Sequence, residues 1–350
     1  ALLDWANAAE LGFSSVLSLG QALDLDLPEL LDWYLFDSQT DSVLLFLESI
    51  RDARGFMSSV RALARVKPVI IMKAARRQDL PTTLSGPFAP EISQLIDADQ
   101  VFGAAIARAG AVRADTTMQL LSAARLLAPR RPPTGPRVAI VANGGGPGTI
   151  AADALNRSSL RLAKRRPDTL ANPLNLLADA DAAQIEAALR ATLADEGVDA
   201  VLMLFMPQTA TPSTDAAGAI IAAAGGQTKP VAAVLAGGAT LTAGQQLLDA
   251  AGIPTFITPE NAVDALGLLE RFARNQRSLR QVPVAIDTGF APDVAAAHAI
   301  LRQAIGRGQQ VLDAQQAGAV LAAFGIAADS ALSRPDKTDR AQTAARAAEQ

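Results

Sequence analysis

The stretch Val138-Ala139-Ile140-Val141-Ala142-Asn143-Gly144-Gly145-Gly146-Pro147-Gly148 has the residue types of an anion site. An apolar run of the kind that fills a buried parallel strand breaks into glycines around Pro147 and leads into the helical pattern Thr149–Leu155. The first N–H groups of a helix have no partner inside it and lie at the positive end of the helix dipole, so such a junction can hold a phosphate. Asn143, Gly144, Gly145, Gly146 and Gly148 are therefore the expected phosphate-facing residues, with Pro147 pre-setting the helix entry. A plain strand-to-helix connection without a ligand is the other reading of the same residues.

Other polar residues carry weaker signals. Glu48 follows Leu44-Leu45-Phe46-Leu47 and is expected at the carboxyl edge of a central strand, where α/β sheets present functional side chains. There a carboxylate can orient an imidazole or a hydroxyl; alternatively it caps a helix or pairs with Arg51 or Arg54. Asp24 and Asp26 flank Leu25 and would point the same way in an extended loop, but a hard cation wants more than two oxygen ligands. An acidic turn ahead of Pro28-Glu29 explains them without a metal, and no metal site is expected. Asn172-Pro173-Leu174-Asn175 reads as a polar turn. His298 is the single histidine, which excludes a His-pair metal site within the chain. It lies in a helical run with no activated Ser or Cys beside it and reads as structural.

These residues need a scaffold, and the hydrophobic pattern supplies one. Strand-like runs at Ser15–Leu19, Ser42–Leu47 and Pro68–Lys73 alternate with helical patterns at Leu27–Leu35 and Asp52–Arg65. A helix over Asp99–Ala109, a short strand over Ala111–Arg113 and a helix over Thr116–Leu127 complete a first domain, 1–128. The segment Pro129–Pro136 cannot continue either element and reads as a linker, 129–136. The cycle restarts at Arg137–Ala142 and runs through Ala182–Ala194, Ala200–Met206, Thr214–Ala224, Pro230–Leu235, Leu241–Ala251 and Thr255–Ile257, giving a second domain, 137–280. Such alternation predicts right-handed βαβ units and an α/β fold with two flavodoxin-like, doubly wound parallel sheets. Beyond it, Ala295–Ile305, Asp313–Phe324 and Thr338–Gln350 read as helices with one extended piece, Ala327–Leu332, in a short helical tail, 291–350. Both ends of the chain interrupt helical patterns, so both are expected to be cut.

Composition narrows the function classes. Half of the 350 residues are hydrophobic and only 4% are aromatic, which suits helices packed on sheets better than a β-sandwich. A formal charge of -4 offers no basic field for a polyanion, so no nucleic-acid partner is expected. The absence of cysteine removes disulfides, thiolate nucleophiles and cysteine-ligated metals together. No apolar run approaches the roughly 20 residues of a membrane span, so no membrane partner is expected and a cytoplasmic location is.

Leu44–Arg54, Lys67-Pro68-Val69-Ile70 and Asn143-Gly144-Gly145-Gly146, in this order, resemble the NDP-forming acyl-CoA synthetases, the acetate–CoA ligase (ADP-forming) branch of the succinyl-CoA synthetase superfamily. The resemblance covers nearly the whole chain. It implies a CoA-binding domain ahead of two flavodoxin-like domains and an ATP-grasp domain behind them, of which 291–350 resembles the truncated start. CoA and ATP/ADP with Mg are implied for the full-length family, with none held stably by these domains alone. The missing domains of the same protein are the implied partners, together with a homo-oligomer.

In that family a histidine loop carries the phosphoryl group, and two helix N-termini face it. The resemblance makes the glycine loop one such terminus, makes the helix containing Leu2–Asn7 the other, and makes Glu48 the carboxylate that steadies the histidine. The departure lies in the loop itself. Arg76–Glu91 contains no histidine, and a gapless count back from Ala109-Gly110 sets Glu91 at its position. Asn175 is a second departure, standing where many relatives have Asp in an Asn-Pro-x-Asp motif. The chain is thus expected to be inactive as a ligase on its own. The same loss is similar to the synthetase-like part of Pat-type protein lysine acetyltransferases, which implies the alternative of an acetyl-CoA-responsive regulatory module.

Overall fold

The computed structural model describes residues 12–20, 24–74, 98–127, 132–164, 171–281 and 291–327. These divide between two compact units: residues up to Gln78 and from Ala98 to Gln281 form one, and those from Val282 onward belong to the other. The helix expected at Leu2–Asn7, Glu91 with its loop, and the tail beyond Ala327 lie outside the described residues.

The first unit holds two parallel sheets. In the smaller, β1 (Val43–Leu47), β2 (Val69–Lys73) and β3 (Val112–Arg113) lie side by side in chain order. Helices α1 (Leu27–Phe36), α2 (Ala53–Ala64), α3 (Ala98–Arg108) and α4 (Thr117–Leu127) connect and flank them. Ser15–Leu19, expected as a strand, is unpaired coil; its apolar side chains Val16 and Leu17 are exposed, so it lacks the burial that a parallel strand requires.

The larger sheet has the order β5-β4-β7-β8-β9, with β6 pairing β4. Its strands are β4 (Arg137–Ala142), β5 (Arg161–Leu162), β6 (Leu174–Asn175), β7 (Ala200–Phe205), β8 (Val231–Leu235) and β9 (Thr255–Phe256). This is the doubly wound flavodoxin-like arrangement, in which the chain reverses direction across β4. Every residue of β7 and β8 is buried, because helices cover both faces. Alternation sorts the side chains. Val138, Ile140, Leu202, Leu204 and Val234 face α5 (Gly145–Asn156) and a long helix near the chain's end of the unit. Val141, Val201, Met203 and Leu235 face α6 (Ala182–Ala194), α7 (Ser213–Ala224) and α8 (Thr242–Ala250).

That long helix, α9 (Pro259–Arg280), is absent from the sequence reading. Its start carries standard signals, with Thr258 accepting from Asn261 N, Pro259 at the first position and Glu260 in the first turn. Its apolar stripe Ala262, Val263, Leu266 and Leu269 shares one core with Ile70 and Val112 of the small sheet and with Leu120 and Leu126 of α4. Polar side chains complete the junction: Asn275 Nδ2 donates to Ala111 O at 2.7 Å, and Gln276 Nε2 to Ala64 O and Gly110 O, each at 2.8 Å. Gly110 has φ +86°, and a Cβ there would stand 2.6 Å from Leu279 Cδ2, so this turn needs glycine twice over.

A structural device recurs in the two sheets. Lys67, ahead of Pro68 and β2, is buried, and its ammonium donates to Tyr34 O at 2.6 Å and to Asp37 O, closing the C-terminal end of α1. Lys229, ahead of Pro230 and β8, donates to Leu193 O and Asp195 O at 2.7 Å each and closes α6. A cation at a helix C-terminus satisfies carbonyls that have no internal partner and meets the negative end of the dipole.

The second unit contains α10 (Val294–Gly306) and α11 (Ala314–Ala323), with no strand among its described residues. Asp293 caps α10, Asp313 forms a capping box with Gln316, and Asp293 N donates to Ala323 O at 2.9 Å.

Candidate functional site

The glycine segment sits at the carboxyl end of β4, beside the point where the order of the large sheet reverses. Ligands of open α/β sheets bind in the crevice at such a point. The helix begins at Gly145, four residues before the expected Thr149, so Gly145, Gly146 and Gly148 form its first turn. Pro147 explains the early start, since its fixed φ suits the first turn and its missing N–H would have no partner there. Gly144 is the N-cap, extended at φ -165°, and the cap has no side-chain hydrogen bond. Gly145 and Gly146 are exposed, and a Cβ on Gly146 would meet nothing within 4 Å. Gly148 is buried, and a Cβ there would lie 3.3 Å from Pro173 Cβ. The glycines therefore divide the work: Gly148 lets the helix sit on Pro173, and Gly145 and Gly146 leave backbone N–H groups open to an incoming oxygen.

Asn143 holds the crevice together. Its side chain is buried, donating to Met206 O at 2.9 Å and accepting from Met206 N at 2.8 Å. Its carbonyl accepts from Gln208 Nε2 at 3.1 Å, so the ends of β4 and β7 are pinned together. Gln208 Oε1 is buried without a hydrogen-bond partner. The sequence reading did not include the Met206–Gln208 loop; the break Pro207-Gln208 after a fully apolar strand was its only signal.

Asn172–Asn175 is more than a turn. Asn172 Oδ1 accepts from Ile140 N at 2.9 Å, and its Nδ2 donates to Ala163 O at 2.9 Å and Val138 O at 3.2 Å, so one side chain stands in for a neighbouring strand. Leu174 and Asn175 then pair with Val141 and Ala142 as β6. Asn175 Nδ2 lies 3.5 Å from where a Cβ on Gly145 would be, and Asn175 Oδ1 accepts from Leu177 N at 3.0 Å. The structure thus brings the Asn-Pro-Leu-Asn segment and the glycine helix start to one place.

Glu48 lies at the small sheet. It follows β1, which is an edge strand of the small sheet among the described residues and not a central one. The carboxylate is exposed. Asp26 caps α1, accepting from Leu27 N at 2.7 Å. His298 is exposed on α10, in the second unit. Among the described residues no group of three or more His, Asp or Glu could hold a metal ion, and no helix is long and apolar enough to cross a membrane. The donor set at the glycine helix, backbone N–H groups with no carboxylate cage, fits a phosphoryl or carboxylate oxygen and not a cation.

Acidic chemistry at the opposite, amino edge of the large sheet is structural. Asp199 is buried, and burial alone would raise its pKa. Arg137 outweighs this, donating from Nε to Oδ2 and from Nη2 to Oδ1, both at 2.8 Å, and from its backbone N at 2.9 Å. Thr134 adds a bond of 2.7 Å, and the carboxyl is held at about 2.

Comparison with known proteins agrees with this architecture. Residues 1–127 match the family described as "Succinyl-CoA ligase like flavodoxin domain". The chain is 29% identical over 339 residues to the acetate–CoA ligase [ADP-forming] I of Archaeoglobus fulgidus, covering 93% of this chain and 47% of the ligase. It is 31% identical to the alpha subunit of acetate–CoA ligase [ADP-forming] II of Pyrococcus furiosus, covering 76% of this chain and 61% of the subunit. The chain therefore spans about half the length of the first relative and about three-fifths of the second. A Pyrococcus horikoshii protein of known structure superposes with a TM-score of 0.66 at 27% identity, over 79% of this chain and 62% of that one. The apo form of the dinucleotide-forming acetyl-coenzyme A synthetase 1 of Ca. Korarchaeum cryptofilum, at 24% identity and a TM-score of 0.67 over 79% of this chain and 63% of that one, shares the fold. With a succinyl-CoA ligase-like flavodoxin domain matched at its start and ADP-forming acetate–CoA ligases similar to it along most of its length, the comparisons support the NDP-forming acyl-CoA synthetase family.

Proposed function

We propose that this chain is a non-shuttling member of its family: it keeps the anion-holding scaffold and does not pass a phosphoryl group through histidine. The observation that carries this reading is that His298, the single histidine, lies on α10, far along the chain from Arg76–Glu91, where the family resemblance expects the phosphorylated residue. Glu91 is no substitute, because no neighbouring residue in the sequence argues for an acyl phosphate on it.

In this reading the N–H groups of Gly145 and Gly146 hold a phosphoryl oxygen of an acyl phosphate or of CoA, and Asn143 and Asn172 keep the crevice open by fixing the strand ends. When bound in the larger protein, CoA would supply the thiol and ATP/ADP with Mg the phosphoryl exchange; this chain's part is to bind and orient. Its partners are then the CoA-binding and ATP-grasp domains of the same protein, with a second copy of the chain. The missing histidine also favours a second reading, a module that responds to acetyl-CoA and regulates an attached acetyltransferase.

The test is to supply the chain with acetyl-CoA, phosphate, ADP and Mg and to measure ATP, while following the amide signals of Gly145 and Gly146 by NMR. We expect no ATP, with saturable shifts at both glycines. ATP formation would overturn the non-shuttling reading, and unshifted glycine amides would remove its anion site.

A further inference from the structure

We infer that the first unit carries a second anion site, an arginine-lined cavity between α3, β3 and α9 that takes a single tetrahedral oxyanion such as inorganic phosphate. The cavity has a volume of about 150 Å³ and is lined by Arg113, Arg271, Arg274, Asn275 and Asp115, with Gly103 on the α3 side. Clefts that hold drug-sized ligands begin at roughly 300 Å³, so this space suits one small ion and not a nucleotide.

The charges around it are unevenly matched. Asp99 takes both Nη2 bonds of Arg113, at 2.6 and 2.8 Å, while Arg113 Nε is buried with no hydrogen-bond partner and stands 3.8 Å from Asp115 Oδ1. Glu270 pairs with Arg274 at 3.2 Å and Arg277 at 3.8 Å. Arg271 has no ion pair or hydrogen bond with the described residues, and its Nε is buried and unpartnered. Two buried guanidinium Nε–H donors, from different elements, thus border one cavity without a hydrogen-bond partner, the Asp115 carboxylate standing beyond hydrogen-bond distance of Arg113 Nε. A buried donor left unpaired is costly, and an oxyanion accepts from several guanidinium N–H groups at once in the geometry arginine favours. Asn275, which also lines the cavity, donates from Nδ2 to Ala111 O at 2.7 Å. An ion here would tie α3 and β3 to α9, the helix that joins the two sheets. It lies apart from the glycine helix start and does not depend on the function proposed above.

Inorganic phosphate titrated into the full chain, read at the arginine Nε–H signals by NMR, tests this directly. The Arg113 and Arg271 signals should shift saturably; Arg271→Gln should weaken binding at this cavity roughly tenfold, and Gly145→Asp should leave it unchanged. Sulfate should compete and acetate should not. Should Arg271→Gln fail to fold, Arg271→Lys keeps the charge but loses the forked donor, and its affinity should also fall. Unshifted Nε signals, competition by acetate, or wild-type affinity in the folded Arg271 variants would each overturn the proposal. Because Gly145→Asp reads the other site, failure at one site is distinguishable from failure at the other.

Discussion

Gly145 and Gly146 contribute through what they lack. With no side chain over the first turn of α5, an anion can reach N–H groups at the positive end of a helix whose N-cap offers no side-chain oxygen. Gly145→Asp should remove this binding, because a carboxylate would occupy the anion's place. The fold should survive, since the new Cβ meets only Asn175 Nδ2 at an ordinary 3.5 Å. The interaction lost is worth roughly 0.3–2 kcal/mol, so titration of the wild type should show modest affinity that weakens with salt. Asp199 acts on stability instead. Its carboxyl, held at about 2 against an ordinary 3.8, stabilises the fold at any pH above about 4 and loses that contribution as pH falls towards 2. Asp199→Asn should cost about 2 kcal/mol at neutral pH and flatten the acid limb of stability between pH 4 and 2, measurable by urea unfolding across that range.

The paired lysines show how much of each connection rests on one side chain. Lys67→Met and Lys229→Met each leave two helix-terminal carbonyls without their donor, and each should lower stability by roughly 1–3 kcal/mol in thermal or urea unfolding. The equivalent apolar length keeps the packing, so a larger loss would point to a role beyond capping. Most elements were legible because their patterns are strong: β7 and β8 are unbroken apolar runs, β4 is one after Arg137, and α6 was placed at its observed limits. What escaped was set by tertiary contacts. Strand β6 exists because Asn172 reaches across to the backbone of β4, which no local pattern reveals. The start of α5 escaped because glycines suggest a turn, whereas packing on Pro173 and the fixed φ of Pro147 extend the helix through them. Helix α9 was overlooked although its cap and stripe were present, since polar and charged residues fill its remaining positions. Glu48 was placed correctly at a strand end, but the sequence alone carries no information on strand order.

Helix α9 makes the first unit a single cooperative body in place of two sheets joined by a linker. Its stripe belongs to one core with both sheets, so Leu269→Ala should cost roughly 2–5 kcal/mol and lower hydrogen-exchange protection in β2 and β7 together. Separate losses, or two unfolding transitions within this unit, would contradict the shared core. At this level the chain has a crevice at the switch point of its large sheet and no histidine in Arg76–Glu91, where the resemblance expects the phosphoryl carrier. The most direct test of that account is to incubate the chain with labelled acetyl phosphate, and separately with γ-labelled ATP and Mg, and to assay acid-labile, alkali-stable label on the protein. The account predicts none; acid-labile label, whether mapped to His298 or accompanied by CoA-dependent formation of acetyl-CoA, would contradict it.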